Sequence, residues 1–522
     1  MIDDIRSRNW DAIVIGTGIG GGTVGRRLAE MGWSVLFLEK GPQGGRSEGN
    51  ALPHDDLTDP AARMRLGAWP DPVRAIVDGS ERNFHAPLGA GVGGSSVFFA
   101  ATLERPEPHD LDHSPERPHP TGGWPIGFAE MLPYFDRAQQ IFAVNGEQDP
   151  LAQYPSPLLV PGPTISDGDA RIMAQMRAAG LHPYQLHSAL RRIQGCEECL
   201  GRKCPHPCKM DGRSAGVEPA VATGRAVVVD CCEVTEICGQ PGAVSHVVAL
   251  RDGQSLSFSA RHIVLAAGAL SSPRLLLASR ADHWPDGIGN RNDQVGRNLM
   301  FHFNEMFAIW PPRRAAFSEA AKSVGFRDLY FAEGERFGMV QAMGLNVGEG
   351  EILHFLRLRL ARSAARRIPG ARQFARLPAM IAARTLGQAK VFVALLEDLP
   401  YADNRVTQDP MREGGILIQY KFAPELLNRR ERFRKLVGKA MNNQRSFFLT
   451  YEPEPNFGHP CGSLRMGKDP EKSVLDENCR VHGMTNLWVT DASFMPTSMG
   501  VNPSLTIAAN ALRVAEKMEE LS

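Results

Sequence analysis

Residues 11–39 read DAIVIGTGIGGGTVGRRLAEMGWSVLFLE, and this stretch decides the fold. Asp11-Ala-Ile-Val-Ile15 is short, apolar and rich in β-branched residues, as a buried strand requires. Gly16-x-Gly18-x-x-Gly21 follows at once, and a helical stretch runs from about Gly22 to Met31. The first glycine permits a tight turn, the second lets backbone approach a pyrophosphate, and the third lets helix pack on strand. Ser34 to Leu38 then forms a second strand that ends on Glu39, 18 residues after Gly21. A carboxylate there can accept hydrogen bonds from both ribose hydroxyls of an adenosine. Strand, turn, helix, strand and terminal acid, in this order, predict a Rossmann-like unit holding a dinucleotide, with NAD and FAD fitting alike.

The 522 residues are enough for two to four domains, and 43% hydrophobic content can fill large cores. Lys+Arg and Asp+Glu stand equal at 58 each, so whole-chain charge points to no nucleic-acid partner. The opening MIDDIRSRNWDAIVIG runs straight into a strand and has no signal-peptide pattern. No stretch approaches the roughly 18 uninterrupted apolar residues of a spanning helix. A cytoplasmic location is the expectation, with the nine cysteines as thiols or ligands rather than disulfides.

Three further stretches choose between the dinucleotides. Gly89-Ala-Gly-Val-Gly93-Gly94-Ser95-Ser96 is a second Gly-rich loop, too far along to belong to the first unit. Its backbone N–H groups and the Ser95 and Ser96 hydroxyls can embrace another part of an extended cofactor. His262–Ser272 (HIVLAAGALSS) is a strand ending in small residues, among them Ala267, where backbone can lie close to that cofactor. In 458–512 a lone histidine sits in a loop, GHPCGSLRMG, before the strand NLWVTDAS, which ends at Asp491, and the stretch MGVNPSLTIAANAL. His459 and Asn502 can thus face one pocket from opposite sides. A neutral imidazole can take a hydroxyl proton near working pH, and an amide can donate to the oxygen as it gains alkoxide character. Asn502 before Pro503 and Ser504 also has the chemistry of a helix N-cap, and the helix at 504–517 would aim its positive end at the cofactor.

The C-terminal block closely resembles the signature of the glucose–methanol–choline family of FAD-dependent oxidoreductases. The Gly89–Ser96 loop is similar to the family loop that covers the flavin, and HIVLAAGALSS and Val295–His302 resemble two more family stretches. Where many members have Asn in the flavin loop, this chain has Phe99. The resemblance implies an α/β fold in which a Rossmann-like FAD-binding domain is interleaved with a mixed-sheet α+β substrate-binding domain. On that basis 1–110, 215–310 and 455–522 belong to the FAD-binding part. Segments 111–214, with the cysteines, and 311–454 belong to the other. Gly16, Gly18, Gly21, Glu39, Gly93, Gly94, Ser95, Ser96, Ala267 and Asp491 are the cofactor-binding candidates, and His459 and Asn502 the catalytic ones. The implied reaction takes an alcohol to a carbonyl, with the proton to His459, a hydride to flavin N5, and electrons onward to an acceptor other than NAD, such as a quinone or an acceptor protein. A dioxygen-using oxidase of lipophilic or steroid alcohols and a lyase using flavin as scaffold are the alternatives.

Two features stand outside that scheme. Cys196-x2-Cys199-x4-Cys204-x3-Cys208 puts four thiols in thirteen residues, a density typical of iron–sulfur or zinc ligation. The last three resemble the triplet of a three-iron cluster in membrane-linked sugar dehydrogenases of the family, one residue shorter in spacing. Between Ile352 and Lys390 there are nine Arg or Lys and no acid. Arg359, Arg362 and Arg366 share one helical face there, and Leu353, Leu356 and Leu360 another. Such a segment can make a peripheral contact with an anionic membrane, act as a lid, or dock an acidic acceptor.

Overall fold

The central parallel sheet is built from β1 (Trp10–Ile15), β2 (Val35–Leu38), β3 (Ala226–Val229), β4 (Gln254–Leu265) and β5 (Leu487–Val489), in spatial order β3-β2-β1-β4-β5. In a computed structural model, residues 2–46, 52, 57–312, 321–346, 371–386 and 389–522, with scattered positions between 352 and 370, are described. Strands β2 and β5 are buried along their whole length, and β1 nearly so, the pattern of a sheet covered on both faces. β4 changes character midway. Its first half alternates exposed and buried residues and pairs antiparallel with Ala243–Arg251, which continues to Glu233–Gln240. Its second half is buried and runs parallel to β1 and β5. Helix α1 (Ile19–Glu30) follows the glycine turn and packs on α2 (Ser504–Glu520), which contributes Leu505, Ala508, Leu512 and Ala515 to the same core.

A second, antiparallel sheet has the order Ser446–Phe448, Phe303–Ile309, Lys390–Leu396, Val340–Asn346, Val324–Phe326 and Tyr184–Gln185. The strand period of two divides its faces. Phe303, Phe307, Val340, Ala342, Phe392, Ala394 and Leu396 enter a second hydrophobic core, together with Leu426, Phe433 and Val437 of the helix Pro424–Ala440. The alternate residues Asn304, Gln341, Val393 and Leu395 turn the other way, toward the ends of the parallel strands. A mixed four-stranded sheet, Arg405–Gln408, Ile416–Tyr420, Val73–Val77 and Ser80–Phe84, shares that second core.

Of the basic stretch before Lys390, Arg362 and Arg366 lie outside the described residues. Its later part forms the helices Ala371–Phe374 and Arg376–Leu386, from which Phe374 (75% exposed), Leu377 (62%) and Ile381 (57%) face outward. Among the described residues no helix is long and apolar enough to cross a membrane.

Candidate active site

A cavity of about 430 Å³ opens where the carboxyl ends of the parallel strands meet the free face of the antiparallel sheet. That is where open α/β sheets bind ligands. Ile15, Gly16, Gly18, Glu39, Ala267 and Asp491 line it on one side, Asn304, Gln341, Val393 and Leu395 on the other, and His459 and Asn502 complete it. The nucleotide side fits an extended dinucleotide. A Cβ placed on Gly18 would meet nothing within 4 Å, so backbone there is open to a bound group. The N-terminus of α1 begins at the next residue, where unpaired N–H groups favour a pyrophosphate.

The individual residues play more divided roles than the motif reading assigns. Glu39 Oε2 accepts from the Thr17 amide (3.1 Å) and hydroxyl (2.6 Å), and Oε1 from the Gly41 amide (3.2 Å), leaving Oε1 a second lone pair for a ribose hydroxyl. Burial pushes this carboxyl above its ordinary range, against those hydrogen bonds. Gly94, Ser95 and Ser96 line the cavity, whereas Gly93 turns the loop with φ +102° and donates its amide to Thr17 Oγ1. The serine hydroxyls are partly engaged within the protein. Ser96 Oγ donates to the Gly93 carbonyl (2.6 Å) and accepts from the Gly212 amide (2.9 Å), so it staples the loop. Ser95 Oγ accepts from the Gly89 amide (2.9 Å) and keeps its O–H to donate and a second lone pair to accept. Asp491 is a clamp: it accepts from the Gly268 and Ser493 amides and from the Ser272 and Ser493 hydroxyls, tying β4 and β5 together at the cavity floor.

His459 is set by backbone pairing. Met300 and Cys461 exchange amide–carbonyl hydrogen bonds of 2.9 and 3.0 Å, and the Asn456 amide donates to the His302 carbonyl at 2.8 Å. The histidine loop therefore lies along residues 300–302, and the two imidazoles meet with their Nδ1 atoms 3.1 Å apart. The tautomers follow. His302 Nε2 is 2.9 Å from the Met499 carbonyl, which can only accept, so Nε2 carries the proton. His302 is wholly buried, and burial pulls it down to about 4, so it is neutral and its Nδ1 is an acceptor. His459 Nδ1–H must then donate to it, and His459 Nε2 is left with a free lone pair. Burial, and next the neighbouring His302 and Lys322, hold His459 well below the usual histidine range, so it stays in the base form. Met499, whose carbonyl starts this relay, sits in the left-handed region at φ +62°, a conformation costly for a side chain of its kind.

Asn502 is not the cap expected of it. Helix α2 starts at Ser504 with Pro503 in the cap position, and no side chain caps it. The Asn502 side chain is instead 7% exposed, on the cavity wall, with Oδ1 lacking a hydrogen-bond partner in the protein. Capping and catalysis therefore do not compete for this amide.

Sequence reasoning missed the opposite wall. Lys322, Asn304 and Gln341 line the cavity as single polar residues in apolar strands or beside them, with no motif to mark them. His302 lay in a family-like stretch, yet its pairing with a residue 157 positions away has no local signature. Lys209 was missed as well. Its buried ammonium donates to the carbonyls of Val97, Phe99, Cys199 and Arg202, fastening the cysteine loop to the back of the cavity loop.

Cys196, Cys199, Cys204 and Cys208 do come together as one packed cluster. Their sulfurs hydrogen-bond to one another, and burial pushes the Cys208 thiol up to about 12. Burial also acts to raise Cys204, but the backbone N–H groups of Lys209, His206 and Cys208 outweigh it and lower this thiol. Among the described residues no group of three or more His, Cys, Asp or Glu is set to hold a metal ion.

Family models described as GMC oxidoreductase match residues 10–304 and 397–511. Paromamine 6'-oxidase of Streptomyces fradiae is 27% identical over 98% of this chain and 91% of its own length. The fructose dehydrogenase large subunit of Gluconobacter japonicus is 26% identical over 97% of both. Among solved structures, formate oxidase superposes with a TM-score of 0.66 at 16% identity, covering 98% of this chain and 99% of its own. Pyridoxine 4-oxidase from Mesorbium loti gives 0.61 at 20% identity, with 98% and 99% coverage. With a dinucleotide cradle, a flavin-type loop and a histidine–asparagine pair at one cavity, the chain belongs to the GMC oxidoreductases, FAD-dependent enzymes that act on CH–OH groups.

Proposed function

We propose that His459 Nε2 is the base that removes the hydroxyl proton of an alcohol bound between it and the Asn502 amide. Bound FAD, held by the Gly16–Gly21 turn, Glu39 and the Gly94–Ser96 loop, supplies the hydride acceptor. The observation that carries this reading is the one-way chain from the Met499 carbonyl through His302 to His459, which leaves one unprotonated nitrogen on a cavity residue. Asn502 contributes its Nδ2–H group on the cavity wall, a donor to the same oxygen as charge builds on it. The positive end of α2 lies alongside, since Pro503, Ser504 and Ile507 line the cavity, and it favours negative charge there.

The electrons then pass to an acceptor other than NAD, because the single Gly-x-Gly-x-x-Gly turn that follows a predicted strand is taken by FAD. A dehydrogenase serving a quinone or an acceptor protein is favoured over an oxidase. The outward Phe374, Leu377 and Ile381, flanked by Arg376 and Arg384 in a segment without acids, support a peripheral contact with anionic membrane where such an acceptor resides. Purified protein should carry one FAD per chain and bleach anaerobically with an alcohol from a broad panel, then reoxidise faster with quinone analogues than with dioxygen. Stoichiometric nicotinamide without flavin, or a flavin that no alcohol bleaches, contradicts the proposal.

A further inference from the structure

The wall facing His459 contains a cation with nothing to bind. Lys322 precedes the strand Val324–Phe326 and lines the cavity. Among the described residues its ammonium makes no hydrogen bond or ion pair. The counter-charge acting on it is Glu104, and that carboxylate is already engaged. Glu104 Oε1 accepts from the His187 amide (2.8 Å), and Oε2 from the Tyr184 hydroxyl (2.9 Å) and the Arg327 guanidinium (2.8 Å). Burial pulls Lys322 down to about 8, which still leaves it mostly charged at neutral pH. Lys322 is half-buried on the cavity wall, so an anion bound in the cavity would offset the desolvation of its charge.

Two amides on the same wall are also unsatisfied. Asn304 stands opposite Leu395, and Gln341 opposite Val393, on neighbouring strands of the sheet face that looks into the cavity. Asn304 Oδ1 and Gln341 Oε1 are buried and receive no donor from the protein. Buried carbonyl oxygens are ordinarily paired, so these two await hydrogen-bond donors. A steroid or other hydrocarbon-like alcohol would satisfy none of the three groups, and a cationic alcohol would be repelled by Lys322.

We propose that the pocket selects a polyhydroxy acid: its carboxylate is held by Lys322, its spare hydroxyls donate to Asn304 and Gln341, and the hydroxyl to be oxidised lies at His459 and Asn502. This rests on the alcohol-oxidation reading above and adds the substrate class to it. The arrangement also links recognition to chemistry. Lys322 is one of the groups that depress His459, and a bound carboxylate would offset that charge and make the imidazole a stronger base.

The test compares matched pairs on the FAD-loaded full chain, gluconate with glucitol and glycerate with glycerol, by anaerobic flavin bleaching. Calorimetry with propionate, which has no hydroxyl to oxidise, gives a readout independent of turnover. The acids should be preferred over the polyols by about tenfold or more in kcat/KM, and propionate should bind in competition with them. Lys322→Met should shrink the acid-to-polyol preference by about 10–100-fold and abolish propionate binding, while Lys322→Arg restores part of both. FAD content and melting temperature certify each variant, with Lys322→Gln replacing Lys322→Met if the latter loses cofactor. Polyols reduced as readily as acids, or a preference unmoved in folded Lys322→Met, overturns this inference and leaves the oxidation reading standing. A flavin bleached by no alcohol of either kind overturns the oxidation reading and this inference with it.

Discussion

At the scale of single residues, the chemistry depends on which nitrogen of His459 is bare, and that is decided by two groups that never touch substrate. Replacing His302 by Leu removes the acceptor for His459 Nδ1–H and frees the ring to turn or change tautomer. Flavin reduction should slow by about tenfold or more with FAD still bound, the scale of a lost orienting hydrogen bond. The acid limb of the pH–rate profile should also move, since His302 is one of the groups depressing His459. An unchanged rate and profile would show that His302 only fills space. The buried His302 has a stability signature as well. Its pKa is near 6.5 unfolded and pulled down to about 4 by burial when folded, so the unfolded state binds the extra proton between these values. Its contribution is intact above pH 6.5 and is lost as pH falls toward 4, in total about 3 kcal/mol. Asp398 and Glu107, raised to about 7 by burial, act with the opposite sign, so the measurement is the difference between wild type and His302→Leu in urea unfolding across that range. A flat difference curve would contradict the buried neutral imidazole.

At the scale of elements, the glycine turn shows how two residues of one motif fail differently. Gly18 faces open cavity, so Gly18→Val should fold and melt as apo-protein much like wild type while losing FAD affinity by about 10²-fold or more, read by flavin absorbance after gel filtration. Gly20 faces protein. A Cβ there would lie 2.0 Å from the Thr490 carbonyl oxygen, at the join of α1 and the end of β5. Gly20→Ala should therefore cost roughly 3 kcal/mol or more in stability, and melting of the two apo variants should separate them. The strand–turn–helix unit was legible because each of its parts has a local cause in residues 11–39. The start of α2 was misjudged for the same reason: Asn502-Pro503-Ser504 has cap chemistry, but the helix begins one residue too late for Asn502 to serve. Spacing likewise brought the four cysteines together on paper, and they are together, but spacing does not say whether sulfurs will face a metal or one another. Lys209, which ties that loop to the cavity, looks in sequence like any surface lysine.

At the scale of the whole molecule, the active cavity exists because a parallel sheet drawn from 10–38, 226–265 and 487–489 meets an antiparallel one drawn from 184–185, 303–346, 390–396 and 446–448. The parallel sheet could be read from its motifs, which carry cofactor chemistry. The other could not, since its strands are apolar runs whose partners lie far apart, and the residues that choose a substrate appear among them singly. The exposed apolar side of Arg376–Leu386 belongs to this scale too. Vesicles containing anionic lipid should sediment the protein, and high salt or Phe374→Ser with Leu377→Ser should release it; binding equal to that of neutral vesicles would remove the membrane from the account. The most direct test of the central claim is single-turnover, anaerobic flavin reduction in His459→Ala. The account predicts an enzyme that retains one FAD per chain and is reduced by its alcohol about 10²–10⁴-fold more slowly than wild type. Reduction at the wild-type rate in that variant would mean that another group takes the proton, and the account would be wrong.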